Sequence, residues 1–371
     1  MSFHTLYGAP LSLYTGRPRS YLIKSGESYK EKTPTTRHFL DTVVPKAGGR
    51  QGMPTLETAT GEVIRDGAAI IDHFEALNNH TFKPRGAKQH VMSLLFDVLG
   101  AEGLMRPAMH YRWDFPEENL NFLTFHFESC IPGWLDKKSI AQKSMNKMRN
   151  AGQMFGAVPE SFEVVEALYL RLVDSLNEHF GEHPYLFGGK PCIGDFGLIA
   201  PFYGHLGRDP APLSLMQSRA VRLFRWVERM NRPEPDTGEF ELEPDDYLQG
   251  DEIPDSLIAV LKQFSTDFVP ETLAAAETIN AWLDAENPKF QAIAERGVGM
   301  AEFSVEGIGF KALAQPYRFY LLQRFHEAFD QLGKNDRDAL ASIFEAGGMT
   351  PVLQVRLTRQ LGRLNNREVW L

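Results

Sequence analysis

Two short stretches hold the residues whose types and spacing can do chemistry: Gly52-Met53-Pro54-Thr55-Leu56 and Gly61-Glu62-Val63-Ile64-Arg65-Asp66-Gly67-Ala68-Ala69-Ile70-Ile71-Asp72. The pattern predicts a strand entered through an X-Pro bond, a hairpin turned at Thr60-Gly61, a second strand, and a helix whose start offers Asp66 and the Gly67 N–H. The first N–H groups of a helix lack intrahelical partners and bind carboxylates. A proline that opens a strand presents the preceding residue's backbone to a ligand. Together these features describe a site for a small peptide.

The elements that must position this site begin at the N-terminus. Phe3 to Tyr7 is an apolar first strand, and Ser12-Leu13-Tyr14-Thr15-Gly16-Arg17-Pro18-Arg19-Ser20-Tyr21-Leu22 starts a helix. With the two stretches above, this arrangement resembles the thioredoxin-like domain of the glutathione transferases. The resemblance implies an α/β thioredoxin-like N-terminal domain followed by an all-α helical domain, with glutathione as co-substrate. It makes Met53-Pro54 the cis-proline pair whose main chain meets the cysteinyl part of glutathione, and puts Asp66-Gly67 where an acidic residue and a serine hold the γ-glutamyl end. Gly67 keeps the N–H but has no hydroxyl, which removes one charge-assisted hydrogen bond worth about 1.5–3 kcal/mol.

Ser12 stands where serine- or cysteine-type members of that family carry their thiol-contacting residue. A cysteine thiol has a pKa near 8.5 and reacts as the thiolate. Lowering that value by two units takes about 2.7 kcal/mol. A hydroxyl hydrogen bond to the anion supplies about 1.5–3 kcal/mol and a helix N-terminus about 0.3–1 kcal/mol. Tyr14 and Thr15 lie in the same turn and are alternative donors, and Ser12 is equally an N-cap that needs no ligand. Tyr7 falls about one helical turn too early, at 3.6 residues per turn. Pro18 is expected in the first turn, where its missing N–H costs nothing.

Composition bounds the rest. The chain has 371 residues, 43% of them hydrophobic, enough for two or three domains. A formal charge of −9 without a long basic run argues against nucleic acid and anionic lipid as main partners. No apolar run approaches the roughly 20 residues of a membrane helix, and Met1 to Gly8 lacks a signal peptide's basic and apolar regions. The expectation is a cytoplasmic protein. Cys130 and Cys192 form neither a metal-ligand cluster nor a C-x-x-C pair, so no metal is expected.

The first domain is expected over residues 1–80, with a polar linker at Asn78 to Gln89. A helical domain follows over residues 88–300, in which Phe162, Val165, Leu168, Leu172 and Leu176 mark one apolar helix face. Pro184 to Leu198 resembles the capped helix of the family's helical domain. Cys192 replaces the hydroxyl of its capping box, while Asp195 still reaches back to the Cys192 N–H. Residues 233–255, rich in Asp and Glu and without Lys or Arg, read as a solvated acidic loop; the calcium-loop spacing is absent. Ser256–Phe264 and Glu271–Leu283 read as two helices. An atypical extension, residues 301–371, contains a hairpin at Phe303–Phe310, helices at Tyr317–Leu332 and Asp336–Ala346, and a basic helix face formed by Arg356, Arg359, Arg363 and Arg367.

Met109-His110-Tyr111-Arg112-Trp113 concentrates two aromatics, an imidazole and a guanidinium. His110, Tyr111, Arg112 and Trp113 are therefore the candidate pocket for an apolar acceptor carrying a polar group, with inter-domain packing as the alternative. The functional expectation is a glutathione transferase-like enzyme. It joins glutathione to a small electrophile or uses it to cleave one, with Ser12 stabilising the thiolate, and the resemblance favours a homodimer. A non-catalytic ligand-binding or assembly module, and a glutathione-dependent isomerase or dehalogenase, use the same fold.

Overall fold

Alternating apolar residues at Leu6, Leu56 and Ile64 place three short strands side by side. In the computed structural model, which describes residues 3–234, 238–294 and 297–371, these become the centre of a mixed sheet. The first domain runs β1 (His4–Tyr7), α1 (Leu13–Lys24), β2 (Tyr29–Lys32), a π-helical turn Phe39–Val43 leading into α2 (Val44–Lys46), β3 (Thr55–Glu57), β4 (Val63–Arg65) and α3 (Gly67–Leu77). Sheet order is β2-β1-β3-β4, with β1 and β2 parallel and the other pairs antiparallel. The β3–β4 turn carries Gly61 at φ 85°, a conformation a side chain resists.

The helical domain comprises α4 (Ala87–Gly103), α5 (Met105–Trp113), α6 (Pro116–Ser129), α7 (Lys137–Gln153), α8 (Phe162–Glu182), α9 (Ile193–Gly204), α10 (Pro210–Arg219), α11 (Val221–Arg229) and α12 (Asp255–Glu286). Helices α4 and α9 meet at Gly100 and Gly197, where a Cβ on Gly100 would lie 2.3 Å from the Gly197 backbone. Gly16 of α1 faces the Ala200 carbonyl of α9, so α9 is the beam on which α1 rests. The capped start of α9 is as expected: Asp195 Oδ2 accepts from the Cys192 N–H at 2.9 Å, and Oδ1 accepts from Trp226 Nε1 at 2.9 Å.

Three expectations change. Ser256–Phe264 and Glu271–Leu283 were expected as two helices, but α12 runs through Pro270 as one, because both halves bury one face, Phe264 and Phe268 before it and Thr272 and Ala275 after it. The acidic segment is only partly solvated. Asp251 accepts the Lys88 and Gln89 N–H groups at the start of α4 (2.7 and 2.8 Å), and Glu239 pairs with Arg225 and Arg229. Asp236, within 235–237, lies outside the described residues. The basic helix face does not form, since Arg356 follows α15 (Thr350–Gln354), Arg363 sits on β7 (Leu361–Leu364) and Arg367 on β8 (Arg367–Trp370).

The rest of the extension follows the expected pattern: a hairpin of β5 (Met300–Val305) and β6 (Ile308–Leu313), then α13 (Pro316–Asp330) and α14 (Lys334–Ala346). Its end returns to the first domain. The Asn366 amide accepts from the Arg65 N–H at 3.0 Å and donates to the Val63 carbonyl at 2.8 Å, closing the outer edge of β4.

Candidate functional site

Ser12 caps α1. Its backbone is extended (φ −79°, ψ 115°) and its Oγ accepts the Thr15 N–H at 3.2 Å. The hydroxyl is half-buried, so its O–H remains available to a ligand. Thr15 is fully enclosed: its side chain packs where a Gly8 side chain would stand, and its Oγ1 meets no hydrogen-bond partner. It supplies an amide to the cap and no surface to a ligand. Tyr14 is 38% exposed, with its hydroxyl 3.6 Å from Met105 Sδ. Pro18 lies past the first turn, inside α1, contrary to expectation.

Met53 is 41% exposed and joined to Pro54 by a cis peptide bond, as the resemblance implies. The Pro54 carbonyl accepts the Asp66 N–H at 3.1 Å, which ties the strand entry to the start of α3. Asp66 caps α3 at φ 90°, its Oδ1 accepting from the Ala68 and Ala69 N–H groups (2.9 and 3.2 Å). Burial pushes this carboxyl up. The Arg363 and Arg17 guanidiniums and the Tyr317 hydroxyl outweigh that and hold it below the usual carboxylate range.

Gly67 is explained by its neighbours. A Cβ there would lie 3.3 Å from Arg17 Cδ, 3.4 Å from Pro18 Cδ and 3.6 Å from the Tyr14 carbonyl oxygen. The first turns of α1 therefore press on the start of α3, where Pro54 and Gly67 are buried, Asp66 is partly buried and Tyr14 is exposed. Arg17 pairs with Asp97 of α4 in the interior.

His110, Tyr111, Arg112 and Trp113, the candidate pocket residues on α5, are all buried, Arg112 and Trp113 against Leu11 of the first domain. Arg112 is held by Asp209 through both carboxylate oxygens (2.6 and 2.9 Å) and by the Leu11 and Gly204 carbonyls. His110 lies between Asp114 and Glu166, each at 3.0 Å. Tyr111 stacks on Phe115, and Trp113 packs with Leu11, Leu123 and Met145. A buried guanidinium must be paired, and here the pairing consumes it. An open groove of about 440 Å³ lies elsewhere, between the loop after β2 (Thr35, Arg37) and the α6–α7 turn (Cys130, Trp134). The Pro34 carbonyl in that loop accepts from Gln51 at 3.3 Å, two residues before Met53.

Sequence reasoning missed Arg17, Glu102, Tyr317 and Arg363. Tyr317 donates its hydroxyl to Asp66 Oδ2 at 2.6 Å across 251 residues of chain. Arg363 lies 3.9 Å from Asp66 Oδ1 and donates to the Arg65 carbonyl. Burial pushes the Glu102 carboxyl up to about 7, Arg318 opposing. The available signal was glycine at 67, which announces that another side chain occupies the space. Nothing in the sequence near Tyr317 points back to Asp66.

Residues 6–82 match the glutathione S-transferase N-terminal domain. No curated protein matches the chain. Among solved structures, glutathione transferase GSTFuA2 from Phanerochaete chrysosporium is similar at 17% identity, over 63% of this chain and 100% of that one, with a TM-score of 0.42. The β-etherase LigF from Sphingobium sp. strain SYK-6 is similar at 15% identity, over 65% and 99%, with a TM-score of 0.41. A glutathione S-transferase from Methylobacterium radiotolerans in complex with glutathione sulfonate is similar at 16% identity, over 68% and 98%, with a TM-score of 0.37. Among the described residues no helix is long and apolar enough to cross a membrane. Residues 6–82 thus form a domain of the glutathione S-transferase N-terminal type.

Proposed function

We propose that the chain binds glutathione along Ser12, Met53, Pro54, Asp66 and Gly67 and uses its thiolate on a small electrophile, by conjugation or cleavage. The observation that carries this reading is the Ser12 hydroxyl at the start of α1, half-buried and accepting only from its own helix turn at 3.2 Å. A hydroxyl has one donor and two acceptor positions, so capping α1 and donating to a thiolate are compatible. The helix N-terminus adds its positive end to the same anion. The electrophile belongs in the groove between Arg37 and Trp134, which offers a cation and an indole that is 72% exposed. A homodimer in the cytoplasm is part of the same reading.

A second reading, a ligand-binding or assembly module without catalysis, is favoured by one observation: Tyr317 and Arg363 already lie on Asp66. Isomerase or dehalogenase chemistry draws on the same thiolate. Calorimetry with glutathione tests the proposal. Binding is expected, and absence of heat at millimolar glutathione would remove the enzyme reading.

A further inference from the structure

The overall charge of −9 hides one strongly positive element. Helix α7 carries Lys137, Lys138, Lys143, Lys147 and Arg149 within 17 residues and contains no acid. It packs on α5 and α6 through a narrow inner face, where Ala141, Met145 and Gly152 are buried. At 3.6 residues per turn, Lys143 and Lys147 flank the outer face on one side and Lys138 and Arg149 on the other. Those four are exposed, and among the described residues none of the five cations of α7 forms an ion pair. Elsewhere arginines are claimed by carboxylates, Arg106 by Asp267 and Glu271 and Arg219 by Asp174. The acid that precedes α7, Asp136, is used as its cap, accepting the Ser139 N–H at 3.2 Å.

The turn that leads into this helix is apolar where it meets water. Trp134 and Leu135 are exposed beside Lys137 and Lys138, as are Phe125 near the end of α6 and Met148 among the lysines. Single exposed apolar residues are ordinary, but an indole and a leucine joined to a basic helix are the composition of a membrane–water interface. A nucleic acid would satisfy the cations and leave Leu135 and Met148 in water. An anionic bilayer takes both kinds of group, cations among the headgroups and apolar side chains at the acyl boundary. The negative total does not oppose this, because at physiological ionic strength the screening length is about 8 Å. A surface pressed against α7 feels its five cations and little of the acids farther away than that.

We propose that the α6–α7 hairpin is a peripheral docking surface for anionic membranes. Helix α7 lies along the headgroups, with Lys138, Lys143, Lys147 and Arg149 on the lipid phosphates and carboxylates, while Trp134 and Leu135 enter the acyl boundary. Trp134 also lines the groove beside Arg37, so docking sets that groove at the bilayer surface.

The test is co-sedimentation of the full-length chain with phosphatidylcholine vesicles, pure or with about one-third phosphatidylserine, for wild type, the double variant Lys143→Glu/Lys147→Glu, Trp134→Ser and Trp134→Phe, each checked by its melting temperature. Wild type is expected to bind the anionic vesicles alone and to be released at about 1 M salt, where the screening length falls to about 3 Å. Charge reversal should weaken binding about thirtyfold or more. Trp134→Ser should weaken it and Trp134→Phe retain it. Of the five tryptophans Trp134 is the exposed one, so vesicles should shift the emission to the blue in wild type and leave it unmoved in Trp134→Phe. Failure to bind anionic vesicles, equal binding to both vesicle types, or undiminished binding by the double variant overturns the proposal. Retention on heparin or poly-glutamate without vesicle binding overturns it too and assigns the face to a polyanion in solution. Vesicle binding without an emission shift overturns the insertion of Trp134.

Discussion

At Ser12 one hydroxyl has to satisfy two demands, and they separate by measurement. Ser12→Ala removes the cap, at a cost of about 1 kcal/mol, and should raise the bound thiol's pKa, read as lost thiolate absorbance near neutral pH. If the absorbance survives Ser12→Ala and disappears in Tyr14→Phe, the same turn uses a different donor. Gly67→Ser restores the hydroxyl the family pattern expects, yet its Cβ meets Arg17 and Pro18 at 3.3 and 3.4 Å. Overpacking of this kind costs about 1–3 kcal/mol, so the variant should melt earlier and bind glutathione no tighter. Glu102 carries the third residue-scale prediction. Its carboxyl is raised by burial from 4.5 to about 7, so between those values the folded chain holds a proton that the unfolded chain releases. Stability therefore falls as pH rises through that window, by about 3 kcal/mol in full. Glu102→Gln should flatten that part of the stability profile and stabilise the protein at pH 8 relative to pH 5, as measured by denaturant midpoints.

Elements differ in how openly the sequence announces them. The α9 start was legible because its logic is local: Cys192 and Asp195 are three residues apart, and the carboxylate reaches back to the cap amide. The Thr60-Gly61 hairpin, the Phe303–Phe310 hairpin and the α8 face were legible for the same reason, being periods and turns readable within a short window. Their partners were not. Arg112 reads as a pocket residue until Asp209, almost a hundred positions away, is seen to claim it. The arginines of the extension keep helical spacing although Asn365 and Asn366, at φ 48° and 63°, turn the chain back into a hairpin. At the candidate site, the cis bond of Met53-Pro54 and the Asp66 cap of α3 were legible, while the side chains around them arrive from α1, α4 and the extension. Asp195 supplies the test at this scale. Removing its side chain strands the Cys192, Leu186 and Trp226 N–H donors in the interior, each worth about 1–3 kcal/mol. Asp195→Ala should therefore lower the denaturant midpoint far more than Asp195→Asn, which keeps an acceptor; equal losses would show that the cap is not what stabilises α9.

For the whole molecule, the extension decides whether the chain is a two-domain protein with an appendage or one cooperative unit. Phe319, Leu321, Leu322 and Phe325 of α13, Phe344 of α14 and Trp370 of β8 are all buried in the main core with residues of the first two domains. At about 1.5–3 kcal/mol for each fully buried apolar side chain, they contribute on the order of 10 kcal/mol, comparable to the net stability of a typical domain. The polar contacts run the same way: Glu368 pairs with Arg65 at 3.1 Å, Arg324 with Asp72 at 2.6 Å, and Asn366 closes the free edge of β4. Deleting residues 301–371 would open that edge together with the face of α4 on which α13 packs. The truncated chain is expected to aggregate, or to sediment as a larger species than the intact protein, and to lose any glutathione binding. A truncated chain that stays soluble, melts at the same temperature, keeps the same number of chains per particle and still binds glutathione would show that the first two domains fold and function without the extension.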